Sequence, residues 1–492
     1  MSAAARLRFA ARRMRNKNRL LLAAPHHAMK DLTTGPIRGH LLRTSAFMLA
    51  SMLVQTAYSL IDLYWVGHLG KDAVAAVTIS NNLMLAVMSL TQILSVGTGA
   101  LVAQAAGRKD EVEMRLLFNQ ALLLALLLGL LFAGVTFALR EHYSLLLASD
   151  TNTAQLAVRF LTFFVPALGL QFSLMTMSSA LRGIGDMRTA VIAQAVTIVI
   201  NIALAPILIF GWLTGVPLGI TGAALATLIA VVTGVGGLLF HIARKGQCFD
   251  MHLRSWRPRP PVWARLSVVG LPSGAEFALL ALYMTFVMRV IRPFGASAQA
   301  AFGIGQRWLQ TGMMPPMAIA LAASAIAGQN FGAEKFGRVR ETFVQSLIGC
   351  MISVGLFFIL FQTLPHVLFG AFTREPAVFE FGEEYLGIIS WNLIATGVVF
   401  ACFGIFSGIG NTVPSLLGSA VRITLIVIPT WVLSRRQGFQ AHWIWEFSAT
   451  ATVVQMLINL WFLRREFAGR LAENQSGDNR LMATVDVTSE TA

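Results

Sequence analysis

The chain has 492 residues, 56% of them hydrophobic and only 12% charged, with a net charge of +15 and a mean hydropathy of +0.67. Ordinary soluble domains carry roughly 25% charge, so a water-soluble fold is excluded, and helices are expected because lipid leaves backbone polar groups only one another as partners. The basic balance does not indicate a nucleic-acid binder, because Lys and Arg gather in the N-terminal arm, the short loops and the tail, without an amphipathic basic face.

Residues 1–43 form a basic arm, expected to be cytoplasmic, with no apolar core of signal-peptide length: Leu20 to Ala24 runs straight into Pro25, His26 and His27. The first membrane helix is therefore expected to serve as its own uncleaved signal. Hydropathy predicts spans at about 44–67, 74–103, 114–139, 155–180, 188–211, 218–243, 263–292, 299–328, 340–369, 379–408, 413–433 and 441–463. An even number of crossings puts both termini on one side. Arg6, Arg8, Arg12 and Arg13 precede the first span, Arg108 and Lys109 follow the second, and Lys335, Arg338 and Arg340 follow the eighth, which places both termini in the cytoplasm.

The stretch 244–261, RKGQCFDMHLRSWRPRPP, is polar, basic and Pro-rich, and separates a first lobe at 44–243 from a second at 262–465, with a cytoplasmic tail at 466–492. The two lobes resemble each other: GHLGKDAVAAV with RPFGASAQAAF, AQAAG with GQNFG, and RGIGD with SGIGN. These pair Gly70 with Gly295, Gln104 with Gln329 and Gly185 with Gly410, each 225 positions apart. One constant offset indicates a duplicated six-helix unit. Six crossings return to the starting side, so the copies run parallel about an axis near the membrane normal, and a substrate belongs in the cavity along that axis.

These segments resemble the multidrug and toxic compound extrusion (MATE) family, most closely in IDLYWVGHLGKDAVAAV (61–77), SVGTGALVAQAAGRKD (95–110), ALRGIGDMRTA (180–190), VGLPSG (269–274) and FGIGQRW to AGQNFGAEK (302–335). The resemblance implies an all-α integral membrane protein of twelve transmembrane helices, two parallel six-helix repeats forming a V-shaped bundle, and alternating access coupled to H+ or Na+. MKDLTTGPIRGHLLRTS resembles a family start, so Met29 is expected to be the initiator, or residues 1–28 to be dispensable.

Asp62 lies inside the first span, where a carboxylate costs about 2.5–3.5 kcal/mol on insertion scales and marks a functional site by default. In low-dielectric surroundings a proton and a cation compete for one oxygen pair, which is the chemistry an antiporter needs. The resemblance puts the family's acidic residue of the first helix on Asp62. Its fifth-helix Asn falls on Asn201, while the Asp found four residues later in some members is Ala205 here. Glu276 follows Leu271-Pro272-Ser273-Gly274, one helical turn nearer that motif than the glutamate of another family branch. With fewer carboxylates, H+ is expected over Na+ as coupling ion.

Gln55, Tyr58, Met175, Tyr283 and Arg307 are candidates for lining the substrate cavity. For Arg307 and Arg422 two roles stay open: pairing with a carboxylate or snorkelling to a membrane face. Prolines at 166, 206, 272, 315, 316 and 429 fall within spans, and Pro315-Pro316 is a candidate bending point. Gly97-Thr98-Gly99 lacks a Walker lysine, the histidines stand near span ends, and Cys248, Cys350 and Cys402 lack metal-ligand spacing, so no enzyme, cofactor or metal site is expected. The function expected is monomeric antiport of small amphipathic or cationic compounds across the bacterial inner membrane. The alternative is a flippase for lipid-linked precursors.

Overall fold

A computed structural model describes residues 31–148, 150–212, 215–245, 256–436 and 438–469. Residues 1–28, Met29, the C-terminal tail beyond 469 and most of the 244–261 linker lie outside the described residues. Helices account for the described architecture: α1 (Ile37–Gly67), α2 (Lys71–Gly107), α3 (Glu111–Leu147), α4 (Thr151–Gly183), α5 (Met187–Phe210) and α6 (Ile220–Lys245) in the first half. The second half holds α7 (Pro260–Ile291), α8 (Ala296–Gly332), α9 (Phe336–Thr363), the short α10 (Pro365–Gly370), α11 (Pro376–Ile389), α12 (Trp391–Ile409), α13 (Val413–Leu433) and α14 (His442–Ala468). Among the described residues, α2 to α9 and α12 to α14 give 11 helices long and apolar enough to cross a membrane. The 31-residue α1 is the remaining crossing. The tenth predicted span is two helices in sequence, α11 and α12, joined at Ser390, whose own backbone is helical.

Most helices outrun their predicted spans, because polar turns continue helically past the apolar core. α2 has 37 residues, about 55 Å at the standard rise, against a hydrocarbon layer of roughly 30 Å. Their ends are set by local chemistry. Asp110, Asp150 and Asp186 cap α3, α4 and α5 by accepting from the backbone N–H groups of Glu113, Thr153 and Thr189. Pro166, Pro206, Pro272, Pro315, Pro316 and Pro429 all sit inside continuous helices.

The duplication is written in the backbone. Left-handed residues recur at the 225-residue offset: Gly70 and Gly295 (φ 99 and 96), Lys109 and Glu334 (φ 57 and 58), Gly185 and Gly410 (φ 83 and 76). At the two half-turns that carry Lys109 and Glu334 the lobes meet reciprocally. Gln104 donates to the Gly408 carbonyl at 3.1 Å, and its counterpart Gln329 donates to the Gly183 carbonyl at 2.9 Å. A Cβ on Gly107 would stand 1.9 Å from the Gln329 carbonyl, and one on Gly332 would stand 2.0 Å from that of Gln104. Only glycine lets these backbones come so close, and the reciprocity places a pseudo-two-fold axis between the ends of α2 and α8.

Contact between lobes gathers at this one end. Gly97 approaches Leu266, Gly270 approaches Ile93 and Gly328 approaches Ala103. Gln120 of α3 brackets the entry to α7, donating to the Arg257 carbonyl at 2.8 Å and accepting from the Arg259 N–H at 2.9 Å. Nearly every residue of α2 from Leu94 to Gly107 is buried, whereas its first half is mostly not. The lobes therefore join at the end of the 107–111 and 332–336 loops and part towards the other, giving the V. α1 and α7 change lobes along their length. Leu41 and Met48 pack on Ala322 and Ile326 of α8, while Val66 joins the first-lobe core; Leu266 and Val269 pack in the first lobe, while Tyr283 and Val287 lie in the second.

A strap of chain ahead of α1 seals the closed end. Leu32 donates its N–H to Gln329 Oε1 at 3.0 Å and its carbonyl accepts from Asn330, Lys335 Nζ reaches the Thr33 carbonyl at 3.0 Å, and Arg338 donates to the Gly35 carbonyl at 2.9 Å. Asp31 accepts from the Thr33 N–H and hydroxyl. Burial pushes its carboxyl up, but those bonds and the charges of Lys109 and Lys335 outweigh it and hold it below the usual 3.8.

Replacing Gly332 with leucine is expected to wedge the closed end apart, since the new side chain overlaps the Gln104 backbone. In a background without the native cysteines, a single cysteine at Thr98, fully buried in the parent, should then be alkylated several-fold faster. Unchanged labelling would show that the glycine contact does not hold the lobes together.

Candidate functional site

On α1, Ser51, Gln55, Tyr58 and Asp62 follow the 4, 3, 4 spacing of one helix face, and that face meets α5 and α6. Ser51 donates to Gln194 Oε1 at 2.9 Å, and Gln194 Nε2 donates to Gln55 Oε1 at 2.9 Å. A turn further on, the Tyr58 hydroxyl lies near Thr227 and feels the charge of Asp62. Asn201 Nδ2 donates to Thr227 Oγ1 at 3.0 Å, while Thr227 donates to the Ala223 carbonyl at 3.1 Å.

A hydroxyl has one proton to give, and Thr227 gives its own to Ala223. Left over are Asp62 Oδ1 and Asn201 Oδ1, both buried and without a donor among the described residues. A buried acceptor without a donor costs about 1–3 kcal/mol, and a proton on the carboxyl or a bound cation removes that cost. Ala205, 1% exposed, fills the place a turn beyond Asn201 with a methyl group. Pro206 inside α5 offers no N–H to the carbonyl of Ile202, which leaves one more acceptor on the turn that follows Asn201.

Glu276 stands in a different kind of environment, inside the second lobe. Ser415 donates to its Oε2 at 3.3 Å and Ser419 donates to its Oε1, with Gln455 Nε2 donating in turn to Ser419 at 2.9 Å. The Arg422 guanidinium lies within electrostatic reach of this carboxylate and 6.0 Å from the Tyr283 ring centre. Tyr283 lies near Ser448, which accepts from Asn392 at 3.0 Å. Arg422 therefore belongs to a buried polar cluster and does not snorkel. Glu276 has a donor on each oxygen and a cation nearby, whereas Asp62 has an oxygen without a donor among the described residues.

The two acids are not counterparts. At the 225-residue offset Asp62 matches Val287, and Glu276 with Ser419 matches Ser51 with Gln194, which also bond to each other. Of the remaining candidates, Met175 is half-buried on α4 and Tyr283 is 8% exposed in the second-lobe core. Arg307 is exposed on α8, and its guanidinium has no ion pair or hydrogen bond among the described residues. No three of His, Cys, Asp and Glu cluster among the described residues, so an ion at Asp62 would be held by one carboxylate and neutral oxygens.

Matches to the MatE family model cover residues 48–207 and 272–433, one in each lobe. The chain belongs to the MATE family. This MATE chain is similar to the probable multidrug resistance protein YoeA of Bacillus subtilis (strain 168), 25% identical over 416 residues that span 84% of this chain and 90% of the relative. Similarity to the multidrug export protein MepA of Staphylococcus aureus is 23% identity over 80% of this chain and 87% of MepA. A solved outward-facing conformation of a multidrug resistance MATE family transporter superposes with a TM-score of 0.81 at 21% identity, covering 89% of this chain and 97% of that one. The protein is accordingly a membrane transporter and not an enzyme.

Sequence reasoning about this MATE transporter singled out the acids and missed most of the groups around them. Thr227, Ser415, Ser419 and Gln455 escaped notice because each, taken alone, resembles ordinary helix packing. The available signal was spacing: Ser415, Ser419 and Arg422 fall at i, i+4 and i+7 on otherwise apolar α13.

Thr227→Val keeps the side-chain shape and removes the hydroxyl that accepts from Asn201. A buried amide loses its partner, so the thermal midpoint of the purified protein is expected to fall by roughly 2–4 °C. A midpoint that does not move would rule out the network.

Proposed function

We propose that this transporter exports small amphipathic or cationic organic compounds in exchange for protons, with Asp62 as the group that carries the coupling ion. The observation behind this reading is the donor-free Asp62 Oδ1, buried on the half of α1 remote from the closed end. Tyr58 lies near it and near Thr227, which accepts from Asn201, all of them neutral groups, and Ala205 adds no second carboxylate. With one carboxylate and no second acid beside it, a proton is favoured over Na+ as the coupling ion. The multidrug names of the relatives support the class of cargo.

Arg108, Lys109, Lys335 and Arg338 stand at the closed end, which the positive-inside rule assigns to the cytoplasm of a bacterial cell, with both termini on that side of the inner membrane. The arrangement described is then outward-open. In it, a proton from outside neutralises Asp62, relieves its unpaired oxygen and displaces a cationic cargo. The lobes rock, and the proton leaves Asp62 to the cytoplasm as the next cargo arrives. Gln55, Tyr58 and Met175 are assigned to the first-lobe wall of the cavity, and Arg307 to the wall opposite on the strength of its exposed, unpaired guanidinium. Tyr283, being buried beside Arg422, is assigned to the Glu276 cluster, where Glu276 sets the packing of α7 against α13. The transporter is expected to work as a monomer and without a cofactor.

Everted vesicles loaded by an imposed pH gradient test the assignment through uptake of a cationic dye. Asp62→Asn is expected to abolish gradient-driven uptake, by roughly tenfold or more, while leaving the protein folded, because the amide preserves shape but holds no exchangeable proton. Glu276→Gln is expected to lower the rate severalfold without changing its pH dependence. Uptake by Asp62→Asn at the parental rate and with the parental pH profile would overturn the reading, and uptake driven by a sodium gradient alone would reassign the ion.

A further inference from the structure

At the open end of the second lobe, the last turns of α7 and α13 and the segments that follow enclose a pocket of about 480 Å³. Arg289, Arg435 and Arg436 line it together with Phe286, Trp431 and Phe439. No acidic residue lines it, and none of the three guanidiniums makes an ion pair or side-chain hydrogen bond among the described residues. Acids of the neighbouring α11 region have partners of their own: Glu375 accepts from Ser297, Glu383 meets His366 at 2.8 Å and Glu384 meets His442 at 3.4 Å. Arg435 lies 3.8 Å over the Trp431 ring, which holds its guanidinium at the pocket mouth.

The pocket ends an apolar face. Leu425, Ile428 and Val432 of α13 and Met288 of α7 are 40–56% exposed, so lipid chains cover them, and Trp431 at 50% marks the interface above. Cations bunched at this end run against the charge bias of the chain, in which Arg and Lys otherwise favour the closed end. Nor is the pocket an inherited by-product of duplication. At the 225-residue offset, Arg289, Arg435 and Arg436 correspond to Tyr64, Phe210 and Gly211. There Trp65, Phe210 and Trp212 pack ring against ring at 5.8–6.0 Å and no arginine stands at any of the three places.

We propose that this pocket binds the phosphodiester headgroup of an anionic glycerophospholipid, whose acyl chains lie along the exposed face of α13. Guanidinium forks match phosphate oxygens in charge and geometry. Three arginines without an acid disfavour a zwitterionic headgroup, because its ammonium would face them unpaired. The apolar face leading into the pocket selects a lipid over a soluble phosphate.

Native mass spectrometry of the purified full-length transporter, titrated separately with phosphatidylglycerol, phosphatidylcholine and inorganic phosphate, tests the assignment. The expected result is preferential retention of phosphatidylglycerol, weakened tenfold or more in the Arg289→Gln/Arg435→Gln/Arg436→Gln variant and not displaced by millimolar phosphate. Should the triple variant not fold, Arg435→Gln and Arg436→Gln singly, both at exposed side chains, are expected to weaken retention severalfold each. Equal retention of both lipids, retention unaffected by the substitutions, or saturation by inorganic phosphate alone would each overturn the proposal.

Discussion

Gln104 and Gln329 hold the halves of this protein together, each reaching across to a carbonyl of the other lobe beside a glycine that lets two backbones touch. Because α2 and α8 are related by a two-fold axis at that point, one contact made twice fixes how the lobes sit, and among the described residues nothing comparable joins them at the far end. The V is thus the result of a steric condition. Backbones meet closely where glycine removes the Cβ, and larger side chains keep them apart elsewhere. Any motion that opens the closed end must break both glutamine bonds together, which makes the junction a two-state element and not a sliding surface.

Around that symmetric junction the chemistry is asymmetric. The first lobe places a carboxylate near neutral groups, with an oxygen left unpartnered among the described residues, while the second gives its carboxylate serine hydroxyls and sets an arginine nearby. One carboxylate is left with an oxygen in need of a proton or cation; the other has a donor on each oxygen. Duplication supplied the framework, and divergence at positions such as Asp62 against Val287 gave the lobes different work. The basic pocket at the ends of α7 and α13, where the first lobe has aromatic packing, continues that divergence outward to the lipid.

Much of the framework was legible in the sequence because its signals are local. Apolar windows mark the crossings, and the turns at Gly70, Gly185, Gly295 and Gly410 announce the repeat through residues that must adopt positive φ. Gln104 and Gln329 could be paired by offset, but their hydrogen bonds to Gly408 and Gly183 could not be foreseen, since each depends on two helices from different lobes. Which end of the V is open was invisible for the same reason. Asp62 stood out because a charge in an apolar span is costly; Thr227, Ser419 and Gln455 did not, because a single hydroxyl or amide in a helix costs little until a buried partner gives it a role. The strap at Leu32 to Gly35 has no periodic pattern at all, and only its partners near Gln329 and Arg338 give it a place.

α1 connects these features mechanically. It is tied at its start to α8 and to the strap, crosses into the first lobe, and carries Asp62 about 38 Å further along at the helical rise. Its counterpart α7 has Pro272 between Gly270 and Gly274, a place where a helix bends at low cost, but α1 has no proline between Ile37 and Gly67 and no glycine between Gly39 and Gly67. A helix without a hinge passes a displacement along its length. On the proposed reading of Asp62 as the coupling group, its neutralisation would change how the far half of α1 packs against α5 and α6, and a stiff α1 would deliver that change to Leu41, Met48 and the strap, on the seam between the lobes. Coupling between ion and gate would then need no chain of small rearrangements through the core, only one rigid helix shared by both lobes.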